Sequence, residues 1–206
     1  MIDDVETDGF MTGVVTTNNF HTFFYNRKEE IVLVEPEKKE SFVVKDYQSP
    51  IPAMLVYAKE EDIEVEFRER AKKRPVVLMV HGGPHGSFLS AHTCLRYTLL
   101  KMGYALLMPN FPGSTGYGQE YLNSLLKGIG EKDVKLILEL LNVVLTENAD
   151  FDKSKIHVYG GSYGGYLSAL MGSRHSTMFK SAIILNGVLS NGGELWFTDI
   201  PEWVTA

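Results

Sequence analysis

The sequence predicts an α/β fold, a mostly parallel sheet with helices on both faces, and three observations predict it. From residue 48 onward, short apolar runs alternate with segments of helical pattern. One long segment, 131–148, spaces its apolar residues at the helical period. An apolar strand pattern at 156–159 runs into a helical pattern at 166–174 across nothing but Gly160-Gly161-Ser162-Tyr163-Gly164-Gly165. Strands and helices that alternate along a chain build parallel sheets.

Residues 1–47 differ from the rest. "FMTGVVTTNN", "FHTFFYN" and "EIVLVEP" are short and β-rich, and turn residues such as Asn18-Asn19 and Asn26-Arg27-Lys28 separate them. That is strand-turn-strand, as at the edge of a sandwich or propeller, and too short for a domain of its own. The α/β part is therefore assigned to 48–206. "IPAMLVYAK" opens it, and the charged run Lys59–Arg74 reads as a solvated loop or exposed helix. Then come the strand "RPVVLMVHG", a helix over Ala91–Met102, the strand "GYALLMPNF" and a helix over Gln119–Lys127. The helix over Glu131–Asn148 presents Val134, Ile137, Leu138, Leu141, Val144 and Leu145 as one stripe, which Leu136 and Leu140 broaden. "KIHVYGG" (strand), "YLSALMGSR" (helix) and "SAIILNG" (strand) complete the alternation.

Composition narrows the function. Of the 206 residues, 44% are hydrophobic and 22% charged, enough apolar material for an ordinary globular core. A net charge of −6 argues against a nucleic-acid partner. No apolar run approaches the roughly 18 residues of a membrane span. The N-terminus "MIDDVETDGF" is acidic where a secretion signal is basic. Cys94 is the single cysteine and no Asn-x-Ser/Thr site occurs, so a cytoplasmic protein is expected. The composition leaves a homo-oligomer open.

Gly160-Gly161-Ser162-Tyr163-Gly164 fits G-x-S-x-G. Chance alone produces that pattern in roughly one chain in fifteen of this length, so the motif is weak without context. Its context is the required one, a strand entering and a helix leaving. In such an elbow small neighbours let the serine take a strained conformation that projects its hydroxyl above the sheet. The helix N-terminus that follows points its dipole at the same place. Ser162 is the candidate nucleophile; a glycine-rich turn that binds phosphate, or only turns, is the alternative.

A second segment favours the nucleophile. "VVLMVHGGPHGSF" is an apolar strand that ends in His81-Gly82-Gly83-Pro84-His85-Gly86. An oxyanion hole in a sheet of this type uses the amide after the nucleophile and another from a glycine-rich loop after an earlier strand. The amide of Tyr163 and the backbone of His81, Gly82 and Gly83 match those two places. His81 and His85 are four apart, a zinc spacing on a helix, but Gly82-Gly83-Pro84 breaks any helix there, so no metal is assigned. No phosphate loop and no complete G-x-G-x-x-G is present, so no cofactor is expected.

The order "HGGPHG", "NFPGSTGYG", "GGSYGGY" and "TDIPEW" resembles the prolyl oligopeptidase family of serine peptidases, most of all its acylaminoacyl peptidase (acyl-peptide hydrolase) branch. The resemblance runs over about 50–206. It implies an α/β-hydrolase fold beside a β-propeller, with 1–47 as a remnant of the propeller. It also implies Ser162 as nucleophile, Tyr163 as oxyanion amide and His81 on the loop of the second donor. "TDIPEW" resembles the stretch that lines the substrate pocket, which makes Trp203 and Tyr166 its aromatic candidates. Relatives usually carry arginine where this chain has Pro112.

The family order is Ser, then Asp, then His. After Ser162 this sequence holds the acids Glu194, Asp199 and Glu202 and one histidine, His175, all earlier than the triad is expected. The α/β-hydrolase domain is thus expected to be incomplete at the C-terminus, and the 206-residue chain by itself to lack enzymatic turnover. The expected function is a serine-type peptidase that cleaves short, N-acylated peptides through an acyl-enzyme on Ser162. A non-catalytic module of the same fold, or an esterase, is the alternative.

Overall fold

The strand "RPVVLMV" is buried at every position, as a strand covered on both faces must be. In the computed structural model, which describes residues 14–16, 22–25, 31–34, 42–89 and 93–190, it forms the middle of a six-stranded sheet. The strands are β4 (Phe42–Tyr47), β5 (Ala53–Ala58), β6 (Arg74–Val80), β7 (Ala105–Pro109), β8 (Phe151–Gly161) and β9 (Ser181–Leu185), in the order β4-β5-β7-β6-β8-β9. The pairs β6–β7, β6–β8 and β8–β9 are parallel, whereas β4–β5 and β5–β7 are antiparallel. The parallel part carries helices α1 (Cys94–Lys101), α2 (Gln119–Asn123), α3 (Lys132–Glu147) and α4 (Tyr163–Arg174) in its connections. This is the expected α/β architecture, with an antiparallel extension at one edge.

Alternation along the strands divides the core in two. Val76, Leu78 and Val80 of β6, with Ala105 and Leu107 of β7, pack against Ile137, Leu141 and Val144 of α3 and Leu167 and Met171 of α4. Their sequence neighbours Val77, Met79, Leu106 and Met108 face the other way, onto Leu100 of α1 and the 3-10 helical segment that carries Phe67 and Ala71. Helices therefore cover both faces, and the buried stripe of α3 follows the predicted period. Ile137, Leu140, Leu141 and Val144 are its fully buried members, and Leu138, placed in the stripe by sequence, is only half-buried.

Several boundaries move. Phe42–Tyr47, grouped by sequence with the N-terminal β-rich segment, pair with β5 from Phe42↔Ala58 to Tyr47↔Ala53. A boundary at 47/48 therefore cuts off the edge strand of the six-stranded sheet. A half-exposed strand reads alike at the end of one unit or the start of the next, and only its partner distinguishes the two. The strands before it, β1 (Val14–Thr16), β2 (Thr22–Tyr25) and β3 (Ile31–Val34), form an antiparallel meander. Helix α1 begins at Cys94 because the Thr93 side chain caps it, accepting the Arg96 N–H at 3.3 Å. Helix α2 stops at Asn123, and a turn closed by the Gly128 N–H on the Leu125 carbonyl follows. The charged run forms two 3-10 segments, Glu60–Asp62 and Val65–Lys72, largely solvated as expected. Its last residue, Arg74, is the buried first residue of β6, 3.7 Å from Asp150.

Leu141 is fully buried where α3 meets the sheet. Leu141→Ala should lower the unfolding free energy by about 2–5 kcal/mol in urea titrations. A loss below about 1 kcal/mol would mean that α3 does not pack on the sheet as described.

Candidate active site

Strand β8 ends at Gly161, α4 begins at Tyr163, and the one residue between them is Ser162, with φ 55° and ψ −122°. A residue with a β-carbon held in that sparsely populated region costs about 1–3 kcal/mol. The conformation is imposed by close backbone contacts. A Cβ on Gly160 would collide with the carbonyl of Gly164, and one on Gly164 with the carbonyls of Val80 and His81. The end of β6, the end of β8 and the first turn of α4 thus touch backbone to backbone. Ser162 is held in place by its N–H, which donates to the Leu185 carbonyl at 2.9 Å, and by its carbonyl, which accepts from Tyr166 N–H at 3.1 Å. Its side chain is exposed. Tyr163 is the first residue of α4, so its N–H has no acceptor within the helix.

The glycine loop after β6 lies against this serine. A Cβ on Gly82 would come 3.2 Å from the Gly161 carbonyl oxygen and 3.4 Å from Ser162 Cβ. Gly83 has φ 125°, a conformation that side chains rarely adopt. Ser162, Tyr163, Gly82 and Gly83 are therefore brought together. His81 contributes differently from its neighbours, because its side chain turns into the protein. Nδ1–H donates to its neighbour's carbonyl, Gly82 O, at 2.7 Å, and Nε2 lies 2.9 Å from Ser114 Oγ. Its ring stacks on Phe111 with centroids 4.2 Å apart. His85 is bound to the same neighbouring loop, its Nδ1 3.0 Å from the Gly113 carbonyl oxygen.

Residues that the sequence reading did not single out hold this arrangement. The Asn110 amide brackets the Phe88 backbone, accepting its N–H at 2.7 Å and donating to its carbonyl at 3.3 Å, so a side chain acts as a strand partner for the glycine loop. Ser114 is fully buried between His81 and the Phe111 carbonyl. Asp133 is fully buried on α3 and accepts the Tyr163 hydroxyl at 2.5 Å. It was visible in principle, as a lone acid in register with the apolar stripe at Ile137, Leu140 and Leu141.

One candidate for the substrate pocket turns its side chain onto the core. Tyr166 packs on the core between α3 and α4, its ring 5.8 Å from that of Tyr163 and its hydroxyl against Gly130. Trp203 lies outside the described residues. Of the histidines elsewhere, His157 Nδ1 is 2.8 Å from Ser181 Oγ, and His175 lies just past the far end of α4 from Ser162. No hydrogen bond joins a histidine to Ser162 among the described residues.

The sequence profile of the prolyl oligopeptidase family matches residues 91–206. The chain belongs to this family. It is 38% identical over 129 residues to the acylamino-acid-releasing enzyme of Sus scrofa, an alignment that takes in 63% of this chain and 18% of that enzyme. The Homo sapiens enzyme of the same name is 39% identical over the same shares. The chain thus spans about a fifth of the length of the curated relatives it matches. Among solved structures, an acylaminoacyl peptidase of Pyrococcus horikoshii superposes with a TM-score of 0.69 at 23% identity, covering 94% of this chain and 34% of that one. A puromycin hydrolase gives 0.67 at 20% identity, over 88% of this chain and 29% of that one. These likenesses establish an α/β-hydrolase fold.

Two outcomes follow from the site's geometry. Because Ser162 sits at positive φ, Ser162→Gly should be more stable than Ser162→Ala by about 1 kcal/mol in urea unfolding. Equal stabilities would mean a relaxed backbone. Burial is the main influence on His81 and pushes its imidazole below the ordinary value, against the opposing pull of the Gly82 carbonyl. Such a histidine takes up its proton more readily unfolded than folded. Its contribution to stability is full above the unfolded pKa of about 6.5 and is lost as pH falls through the folded one. Stability should therefore decline as pH is lowered from about 7.5 to 5.5, with a shallower slope in His81→Gln. Identical slopes would show that His81 carries none of that dependence.

Proposed function

We propose that this chain carries the nucleophile and oxyanion hole of a serine peptidase of the acylaminoacyl-peptidase type. The observation that carries the reading is the exposed Ser162 hydroxyl on a strained strand-helix elbow, backed by the Gly82 loop. Ser162 Oγ attacks the carbonyl of the scissile peptide bond. The resulting oxyanion is met by Tyr163 N–H and by a backbone N–H of the Gly82–Gly83 loop, donors fixed before charge develops. Collapse expels the amine and leaves an acyl-enzyme, which water then hydrolyses. The substrates are short N-acylated peptides, a reading supported by the acylamino-acid-releasing relatives.

A base must take the serine proton, because a hydroxyl is a weak nucleophile at its free pKa. His81 has both ring nitrogens engaged, His157 is turned to Ser181, and His175 lies at the far end of α4 from Ser162. This favours a base and its acid from beyond β9, in keeping with the family order. It is also what supports the second reading, a binding module without turnover. Among the described residues no helix is long and apolar enough to cross a membrane. The cytoplasmic location expected from sequence belongs to the same proposal.

The test is fluorophosphonate labelling of the protein expressed from its own reading frame, beside Ser162→Ala, with acetyl-alanine amide as reporter substrate. One adduct on the peptide that contains Ser162, absent in the variant, is expected. An adduct elsewhere would overturn the assignment of the nucleophile, and no adduct would favour the binding module.

A further inference from the structure

Asp133 is a carboxyl with no exposed surface in an otherwise apolar layer. Burying such a group is costly unless donors surround it. Three do. The Tyr163 hydroxyl donates to Oδ2 at 2.5 Å, Gly130 N–H to the same oxygen at 3.2 Å, and Val134 N–H to Oδ1 at 2.7 Å. The carboxyl also sits in the first turn of α3, where the helix dipole favours negative charge. Donors on two sides make Asp133 a link between the start of α3 and the start of α4.

The far end of that link is the elbow. Tyr163 follows Ser162, and its ring descends into the core between Phe111 and Tyr166, 5.9 and 5.8 Å away. Burial, reinforced by Asp133, holds its phenol well above the usual tyrosine range, so the hydroxyl stays a donor. Ring and amide belong to one residue at the first position of a helix, with few bonds between them. A ring fixed at both its flanks and its tip therefore fixes the direction of the backbone N–H.

We propose that Asp133 is a positioning residue for the oxyanion hole: by gripping the Tyr163 hydroxyl from α3, it aims the Tyr163 amide that meets the oxyanion. The inference rests on the reading of Ser162 as nucleophile. It assigns a reaction role to a residue that no contact with substrate would reveal.

The experiment compares parent, Tyr163→Phe, Asp133→Asn and the double variant in the protein expressed from its own reading frame. Two readouts are used: amide hydrogen exchange over 160–168 against 137–147, and the fluorophosphonate labelling rate resolved into binding and adduct formation. Either single variant should speed exchange at the elbow about tenfold while α3 beyond its first turn is unchanged. Each should slow adduct formation about 10–100-fold with binding unaltered, the signature of a misdirected donor. The double variant removes the hydroxyl and the carboxyl charge together. Both substitutions break the same contact, so its labelling should match that of the slower single variant rather than the product of the two losses. Labelling restored to the parent rate in the double variant would reduce the pair to a structural contact and overturn the proposal. So would labelling within twofold of parent in either single variant. A parent without an adduct at Ser162 would defeat the functional reading instead. In that case unchanged exchange at 160–168 in the variants would defeat the anchor as well, and faster exchange there would uphold it as the brace of the elbow.

Discussion

Three stretches of backbone meet at Ser162 with no room for a side chain between them, and the rest of the site depends on that contact. Gly164 lies on the carbonyls of Val80 and His81, and Gly160 lies under the carbonyl of Gly164. A β-carbon at either place would lift α4 away from the strand ends. The loop that begins at His81 would then no longer start beside Ser162. Because β6 and β8 are parallel neighbours, their C-terminal ends lie at the same edge of the sheet. Loops leaving them converge without any long excursion, which is why open α/β sheets place their sites at that edge. The topology brings the elbow and the glycine loop to one edge, and the glycines let them touch.

The strain this imposes is small beside what opposes it. Holding Ser162 in its sparsely populated positive-φ conformation costs about 1–3 kcal/mol. Each fully buried large apolar side chain returns about 1.5–3 kcal/mol. Leu167 and Met171 of α4 are both fully buried against the sheet. One helix face is enough to outweigh the elbow, and α3 adds a second. The Tyr163–Asp133 contact ties these two helices together at their N-terminal ends, the ends nearest the strained residue.

What was legible in the sequence is what local pattern controls. Alternation and period located most of the strands and helices, and glycine spacing located the turn at Ser162 and the loop at Gly82 and Gly83. What was not legible depends on partners distant in the chain. The place of β4 is decided by its pairing with β5, which six β-rich residues do not announce. Asn110 acts on Phe88 and Ser114 on His81, pairings that only the folded loops create. Tyr166 shares helix α4 with Tyr163, and nothing in the spacing says that it packs towards Gly130 rather than lining a pocket. Asp133 did leave a trace, since an acid inside an apolar stripe must be paired once it is buried.

The histidine beside the site shows how the chemistry is divided. His81 is next to the glycine loop, and proximity alone would make it a base. Its ring is buried on Phe111, Nδ1 is turned to Gly82 O, and Nε2 meets Ser114 Oγ. The Ser114 hydroxyl reaches both the Phe111 carbonyl and Nε2, and the Ser114 N–H already donates to that carbonyl. With the hydroxyl turned to Nε2, a neutral His81 leaves no partner unmet. It therefore braces the Gly82 peptide and has no nitrogen free for the serine proton. The other side of Ser162 is where a base has access. Ser162 N–H binds Leu185 at the end of β9, and Gly165 packs on Gly187 just beyond it. The chain leaving β9 thus departs from beside the nucleophile candidate, on the side the glycine loop does not occupy. Under the proposed reading, an acid and a base that follow Ser162 in sequence begin their path beside that serine.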